Sequence, residues 1–466
     1  MKSSLLRADC HVSITPNWND ELECEIPPGS YRDGLRKSNN KHMKQLFLYA
    51  FAILIFSSSC QEKQVSSPSL LVNDQVRARI DSTLSSFVES GNLAGVSALI
   101  FEKDQEVYYN AFGFSDRENQ VKMDRNTIVQ IYSMTKPITG TALMTLFEEG
   151  KFQLDDPLAK YAPEFADMMV YDGVDEDGNI KLVDADRPVT IRDITRHTAG
   201  FPNRADIPGL SDILAEKDPR SIEIDLTEMA KRIGEVPLWF QPGTQWEYGQ
   251  SVDVQAFLVE RIAGIPYKEY VQTHVLDPLK MSKTRYFVPE ADRAKMSASY
   301  RRTGEGQLEQ MPNEEAHRFN INEWPLSPGG FGFTSTLDDY MTFARMLVHK
   351  GEFEGARILK PETVELMSTN QLPDSVTERS WLPSKGNVGF GIDFAVRVAP
   401  TTSAEEMNGT VGEFFWDGAA STLFWVDPVN EITAVLFVQL FPYDQIKLHK
   451  KFKDAVYGKY QPAESK

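Results

Sequence analysis

Strand-like runs gather at the two ends of this 466-residue chain, and helical patterns fill its middle. "GVSALIFEKDQEVYYNAFGFSD" (95–116) reads as two strands joined by a charged turn. The tail carries further strands near 387–398, 412–416, 421–426 and 431–439, then a final helix over 444–458. Between them, 74–91 has helical spacing and stops at Gly91, and 135–165 opens with a helix closed by Gly150. A helix over 251–264 follows, and 329–351 is a Gly-rich turn into an amphipathic helix. "MVYDGVDEDGNIKLVDADRPVTIRDIT" (169–195) holds a hairpin turning at Asp177-Gly178. This distribution predicts one α/β domain built from both ends of the chain, with a mostly helical domain inserted. A cleft between two such lobes is where a site is expected.

The formal net charge of −18 repels phosphate backbones, so nucleic-acid binding is not expected. The three cysteines, Cys10, Cys24 and Cys60, all lie in the first 60 residues. The rest of the chain therefore has no disulfide, no thiolate chemistry and no Cys/His cluster for structural zinc. The acidic hairpin lacks EF-hand spacing, because Gly173 stands where the first ligand belongs. No metal and no organic cofactor is implied.

"MKQLFLYAFAILIFSSSC" (43–60) begins with Met43 and Lys44, and its apolar run, Leu46 to Phe56, is too short to span a bilayer alone. It resembles a bacterial lipoprotein signal, with Cys60 as the lipidated first residue of the mature chain and Ser57 where Leu is usual. Residues 1–42 are then expected to be a disordered or gene-model extension, and 61–74 a tether. The expected place is the bacterial cell envelope, as a periplasmic or outer-membrane lipoprotein whose membrane contact is the lipid anchor alone.

The chemistry centres on "IYSMTKPITG" (131–140), where Ser133 and Lys136 are spaced to share one face of a helix start. Pro137 fits a first helical turn, where its missing N–H costs nothing. A serine hydroxyl is a poor nucleophile without a base. An ordinary lysine, with a pKa of about 10.4, accepts no proton at neutral pH, but burial at a helix N-terminus favours the neutral amine. The same N-terminus would offer the Ser133 N–H to a developing oxyanion. Any S-x-x-K is common by chance, and "SNNK" (38–41) is a second one.

Further blocks stand downstream: "TIRDITRHTAGFPN" (190–203), "PLWFQPGTQWEYGQSVDVQAFLVERIAGIPYKEYV" (237–271), "VLDPLKMSKTRY" (275–286) and "SPGGFGFTSTLDDYMTFARML" (327–347). In order and spacing they resemble the class C β-lactamase-like serine hydrolases, a family of class C β-lactamases, DD-peptidases and family VIII carboxylesterases. The resemblance runs from about residue 75 to 458. It implies a β-lactamase/DD-peptidase-like fold, with an antiparallel sheet flanked by helices over 75–165 and 325–460 and an inserted, mostly helical domain over 166–324.

It also implies roles. Ser133 matches the acylated nucleophile, Lys136 its partner, and Tyr248 the tyrosine of the family's Tyr-x-Asn motif. The Ser133 and Ala419 N–H groups match the oxyanion hole. Gln250 takes the place of the motif's Asn, and Trp416-Asp417-Gly418 that of the Lys-Thr-Gly-like triplet on the substrate-binding strand. Gly418 would let the strand edge approach substrate. With Trp416 in place of Lys, the cation that would greet a β-lactam carboxylate is missing, and an aromatic residue here is typical of the esterase branch. Asp417 is an acidic variation without an assigned role. His197 belongs to a block that shapes a loop, and Gly329-Gly330-x-Gly332 reads as a tight turn lining the cleft rather than a phosphate loop.

The expected activity is that of a carboxylesterase-like serine hydrolase, acting through a serine acyl-enzyme on a small ester, amide or β-lactam-like substrate. A β-lactamase or peptidoglycan DD-peptidase is the alternative, and a non-catalytic binding lipoprotein of the same fold the second.

Overall fold

The computed structural model describes residues 70–462. Residues 1–42, the signal-like segment 43–60 with Cys60, and most of the 61–74 tether lie outside the described residues. Helix α1 (Asp74–Glu89) is capped by Asn73, whose side chain accepts from the N–H groups of Gln75 and Val76. It lays Val76, Ile80, Leu84 and Phe87 on the sheet, a one-faced stripe at helical period.

The sheet is built from both chain ends, as the strand distribution predicts. Strands β1 (Gly95–Glu102), β2 (Gln105–Asp116) and β3 (Val121–Lys122) come from the N-terminal part. Helix α2 (Thr135–Glu148), helix α3 (Ser251–Ala263) and helix α4 (Leu337–Val348) follow. Strands β4 (Val388–Phe390), β5 (Ala395–Arg397), β6 (Phe414–Asp417), β7 (Leu423–Asp427) and β8 (Ile432–Phe437) lead to the last helix, α5 (Leu448–Tyr457). The order across the sheet is β4-β5-β6-β7-β8-β1-β2-β3, every pairing antiparallel. The two chain ends meet where β8 pairs with β1, with Ser97 opposite Phe437.

Every residue of β7 and β8 is buried, because helices cover both faces. Successive side chains of β7 point to opposite sides. Phe424 meets Tyr340 of α4 at a ring distance of 4.9 Å, and Trp425 meets Phe452 of α5 at 5.3 Å. Truncating Trp425 to alanine would cost about 3–5 kcal/mol by the usual cavity penalty.

The 387–398 stretch is a hairpin rather than one strand. It turns at Gly391–Phe394, where Asp393 takes φ +60° and Gly391 N–H donates to Phe394 O at 2.8 Å. The acidic hairpin forms between Met169–Val174 and Ile180–Asp184, with Gly178 at φ +84° in its turn. The middle of the chain is not purely helical. Tyr300–Arg302 pairs in parallel with Leu440–Phe441, so the 166–324 stretch reaches across to the C-terminal strands. Among the described residues no helix is long and apolar enough to cross a membrane.

Helix α2 is buried on nearly all sides, and its buried polar side chains Lys136, Thr139 and Thr141 are hydrogen-bonded inside the protein. It packs against α3. Gly140 lies against the β4–β5 turn, where a Cβ would come within 2.4 Å of the Asp393 carboxylate.

Candidate active site

The segment leading into α2 is held as a short β-ladder. Val129–Gln130 pairs with Thr334–Ser335, and Ile131 N–H donates to Phe333 O at 3.0 Å. The chain then reverses at Tyr132, whose φ of +46° is a left-handed conformation that a bulky residue adopts only under constraint. Met134 N–H closes the turn on Ile131 O at 3.0 Å, and the buried Tyr340 hydroxyl donates to Met134 O at 2.8 Å. Ser133 therefore sits in a 3₁₀ turn (Tyr132–Met134) just before α2, not within the helix, with its side chain half-buried.

Lys136 is buried, 5% exposed, in the first turn of α2. Its Nζ lies 3.3 Å from Ser133 Oγ and donates to Gly330 O at 2.7 Å. Gly330 N–H in turn donates to Asp253 Oδ1 at 2.8 Å, which ties the Gly-rich turn to the first turn of α3. A Cβ on Gly330 would stand 3.0 Å from Asp253 Oδ1 and 3.2 Å from Lys136 Nζ, so glycine suits this close approach. Burial pushes the Asp253 carboxyl up, while Lys136 and the Gly330 N–H pull it back. An amine at this distance from Ser133 can take its proton once neutral.

Tyr248 presents its ring face to Lys136, with Nζ 4.6 Å from the ring centroid. Its hydroxyl is buried and has no protein partner, so it bonds neither Ser133 nor Lys136. Catalytic hydrogen bonds commonly tighten only when substrate arrives. The ring is fixed by Trp381 at 5.3 Å, Trp416 at 5.4 Å and His197 at 4.9 Å, and its carbonyl accepts from Asn203 Nδ2 at 2.8 Å. His197 is wholly buried, with neither ring nitrogen bonded to protein. Burial, with Lys136 nearby, pushes its pKa well below the usual imidazole value, so it is neutral packing for Tyr248.

Gln250 stands at the N-cap position of α3, without a side-chain bond to the helix, and is buried beside Asn203, Arg204 and Arg220 around a cavity of about 270 Å³. On the facing side β6 packs against the 132–134 turn. Trp416 is fully buried among Tyr248, Trp381 and Phe390. A Cβ on Gly418 would lie 2.5 Å from Ile131 O and 2.3 Å from Thr422 Oγ1. Gly418 N–H donates to Thr422 O at 3.0 Å, and Ser421 N–H to Gly418 O at 2.9 Å, which leaves Ala419 exposed. Asp417 is buried and paired with Lys385 and Tyr443.

The structure thus gathers Ser133, Lys136, Tyr248 and β6 around one short stretch of chain. Reading the sequence missed Asp253, whose place in a first helical turn looks like ordinary dipole compensation. It also missed Lys385 and the positive φ of Tyr132, for which no local signal exists.

Comparison with known proteins bears on this geometry. The Beta-lactamase family model matches residues 80–457. An uncharacterized protein of Mycobacterium tuberculosis is 30% identical over 358 residues, 76% of this chain and 88% of that protein. Lovastatin esterase of Penicillium rubens is 25% identical over 411 residues, 82% of this chain and 98% of that one. Among solved structures, EstCE1, described as a hydrolase with promiscuous acyltransferase activity, superposes with a TM-score of 0.68 at 22% identity. That alignment covers 82% of this chain and 99% of EstCE1.

Proposed function

The chain belongs to the beta-lactamase family of serine hydrolases, and from that membership we propose that it is an esterase-like enzyme working through an acyl-enzyme on Ser133. The observation that carries this reading is the placement of Lys136 Nζ between Ser133 Oγ and Gly330 O, with the same nitrogen 4.6 Å from the Tyr248 ring centroid. In the first step the Ser133 proton passes to the Lys136 amine and Oγ bonds the acyl carbon. The oxyanion is held by the Ser133 and Ala419 N–H groups. The ester C–O bond then breaks, and the departing alkoxide takes a proton through the Tyr248 hydroxyl. Water gives its proton to the same groups, attacks the acyl carbon, and releases the acid and Ser133. An alcohol in place of water would make a new ester.

Ester substrates are favoured over β-lactams because Trp416 replaces the triplet's lysine and is buried behind Tyr248. A relative named as an esterase supports the same choice. The test is to assay one preparation on a short-chain 4-nitrophenyl ester and on a chromogenic cephalosporin, beside Ser133→Ala. Ester turnover that vanishes in the variant, with little cephalosporin turnover, is the expected result. Dominant cephalosporin turnover would overturn it in favour of a β-lactamase.

The 43–60 segment supports placement in the cell envelope as a lipoprotein. The mature N-terminal peptide, read by mass spectrometry, should begin at a diacylglyceryl-modified Cys60. An unmodified N-terminus elsewhere would sink this placement.

A further inference from the structure

Asp417 has no role in the acyl-transfer steps, yet it is buried at the end of β6, two residues before Ala419. Its partner is a lysine from another element. Lys385 closes a 3₁₀ turn (Leu382–Lys385) and is 3% exposed. Its ammonium bonds the Asp417 carboxylate and donates to the Tyr443 hydroxyl at 2.8 Å. The Tyr443 hydroxyl donates to the same Asp417 oxygen at 2.6 Å, which closes a three-membered ring of hydrogen bonds.

Aromatic faces surround this ammonium. Nζ lies 5.2 Å from the Trp381 and Trp416 ring centroids and 5.1 Å from that of Tyr443. Trp381 and Trp416 are the rings that hold Tyr248, so Lys385 stands one ring behind the Tyr248 phenol. Tyr443 itself is 42% exposed, so the cluster reaches the surface through that ring.

A cation thus stands near the strand end, although the triplet position itself carries Trp416. Its charge is already spent. A substrate carboxylate would have to displace a tethered carboxylate that has two bonds in place, and Asp417 would repel it on approach.

We propose that Lys385 and Asp417 form a self-cancelling ion pair that sets the charge preference of the site, so that neutral esters are accepted and carboxylate-bearing ones are disfavoured. This rests on the acyl-enzyme reading above, and Asp417 acts by masking Lys385 from substrate.

The test compares two matched substrate pairs on the purified protein. One pair carries the charge on the acyl side, 4-nitrophenyl hydrogen succinate against 4-nitrophenyl methyl succinate. The other carries it on the leaving group, 4-carboxyphenyl butyrate against 4-methoxycarbonylphenyl butyrate. In Asp417→Asn the charged-to-neutral ratio of kcat/KM should rise about tenfold or more on at least one pair, the scale of one partly screened charge contact. The double variant Asp417→Asn/Lys385→Met should lose that gain. A ratio within about twofold of wild type on both pairs, or a gain that survives in the double variant, would overturn the proposal. If Asp417→Asn does not fold, Lys385→Met leaves Asp417 bare and the ratio should fall; an unchanged ratio there is equally fatal. A wild type inactive on all four esters would instead overturn the acyl-enzyme reading, and this proposal with it.

Discussion

Replacing Gly418 by alanine puts one methyl group where β6 meets the turn that carries Ser133. The added Cβ would lie 2.5 Å from Ile131 O and 2.3 Å from Thr422 Oγ1. Real Cβ atoms essentially never come within 3.0 Å of such a neighbour, so strand and turn must part by about 0.5 Å. Thr422 Oγ1 can rotate away, but Ile131 O cannot, because its own residue is bonded to Phe333 and its oxygen accepts from Met134. The displacement falls on Ala419 and on the turn of Ser133, whose N–H groups are assigned to one oxyanion. Shifts approaching 1 Å at reacting groups cost about 10²-fold in rate, while overpacking of this kind costs about 1–3 kcal/mol of stability. A shift of half that size predicts, for Gly418→Ala, a folded protein with kcat on a 4-nitrophenyl ester reduced by about tenfold and KM changed far less. Circular dichroism melting and steady-state kinetics on one preparation give both numbers. A variant that keeps kcat within about threefold of the parent while holding its melting temperature would refute the reasoning, because β6 would then not set the oxyanion geometry.

Three further outcomes follow from particular contacts. Asp253→Asn keeps an acceptor for the Gly330 N–H, so its loss of stability should stay under about 1 kcal/mol; a loss of several would show that the buried carboxylate, and not the hydrogen bond, holds the Gly-rich turn. His197 is buried neutral with its folded pKa below the unfolded value of 6.5, so its contribution is complete above that pH and is lost as pH falls. Denaturant melts should show His197→Phe losing less stability than wild type between pH 6.5 and 5, by about 1.4 kcal/mol per pH unit, and parallel curves would contradict the assignment. Glu413 accepts from Arg397 at 2.9 Å and from Lys453 at 2.6 Å, all three almost wholly buried, so Glu413→Gln strands two cations and should cost about 3–5 kcal/mol, where a loss under about 1 kcal/mol would show that the network carries little.

The sheet was legible because its strands carry their own evidence. The runs at 95–116 and 421–439 are apolar and β-branched over enough residues to declare both type and bounds, and the helix stops at Gly91, Gly150 and Gly264 follow from the left-handed φ those glycines supply. Ser133 and Lys136 were legible because their relation is local, three residues apart beside a Pro. Tyr248 needed the resemblance, since a lone tyrosine says nothing of its neighbours. What stayed hidden depends on distant chain. Lys136 finds its acceptor in Gly330, 194 residues away. Asp417 finds Lys385 across 32 residues, so its acidity could not be interpreted before the fold was known. The expectation that Ser133 lies on the helix missed the reversal at Tyr132, because the φ of one constrained residue has no compositional signature. The sequence shows Trp416 where the resemblance places a lysine, but a cation supplied from another element is invisible to a motif.

The most direct test of the central claim is to quench the purified protein within milliseconds of mixing with a 4-nitrophenyl ester, then digest it and read the peptides by mass spectrometry. The account predicts one acyl group, on the peptide that contains Ser133, and none in Lys136→Met, where the serine has lost its base. An acyl group on another residue, or ester turnover with Ser133 never modified, would contradict it.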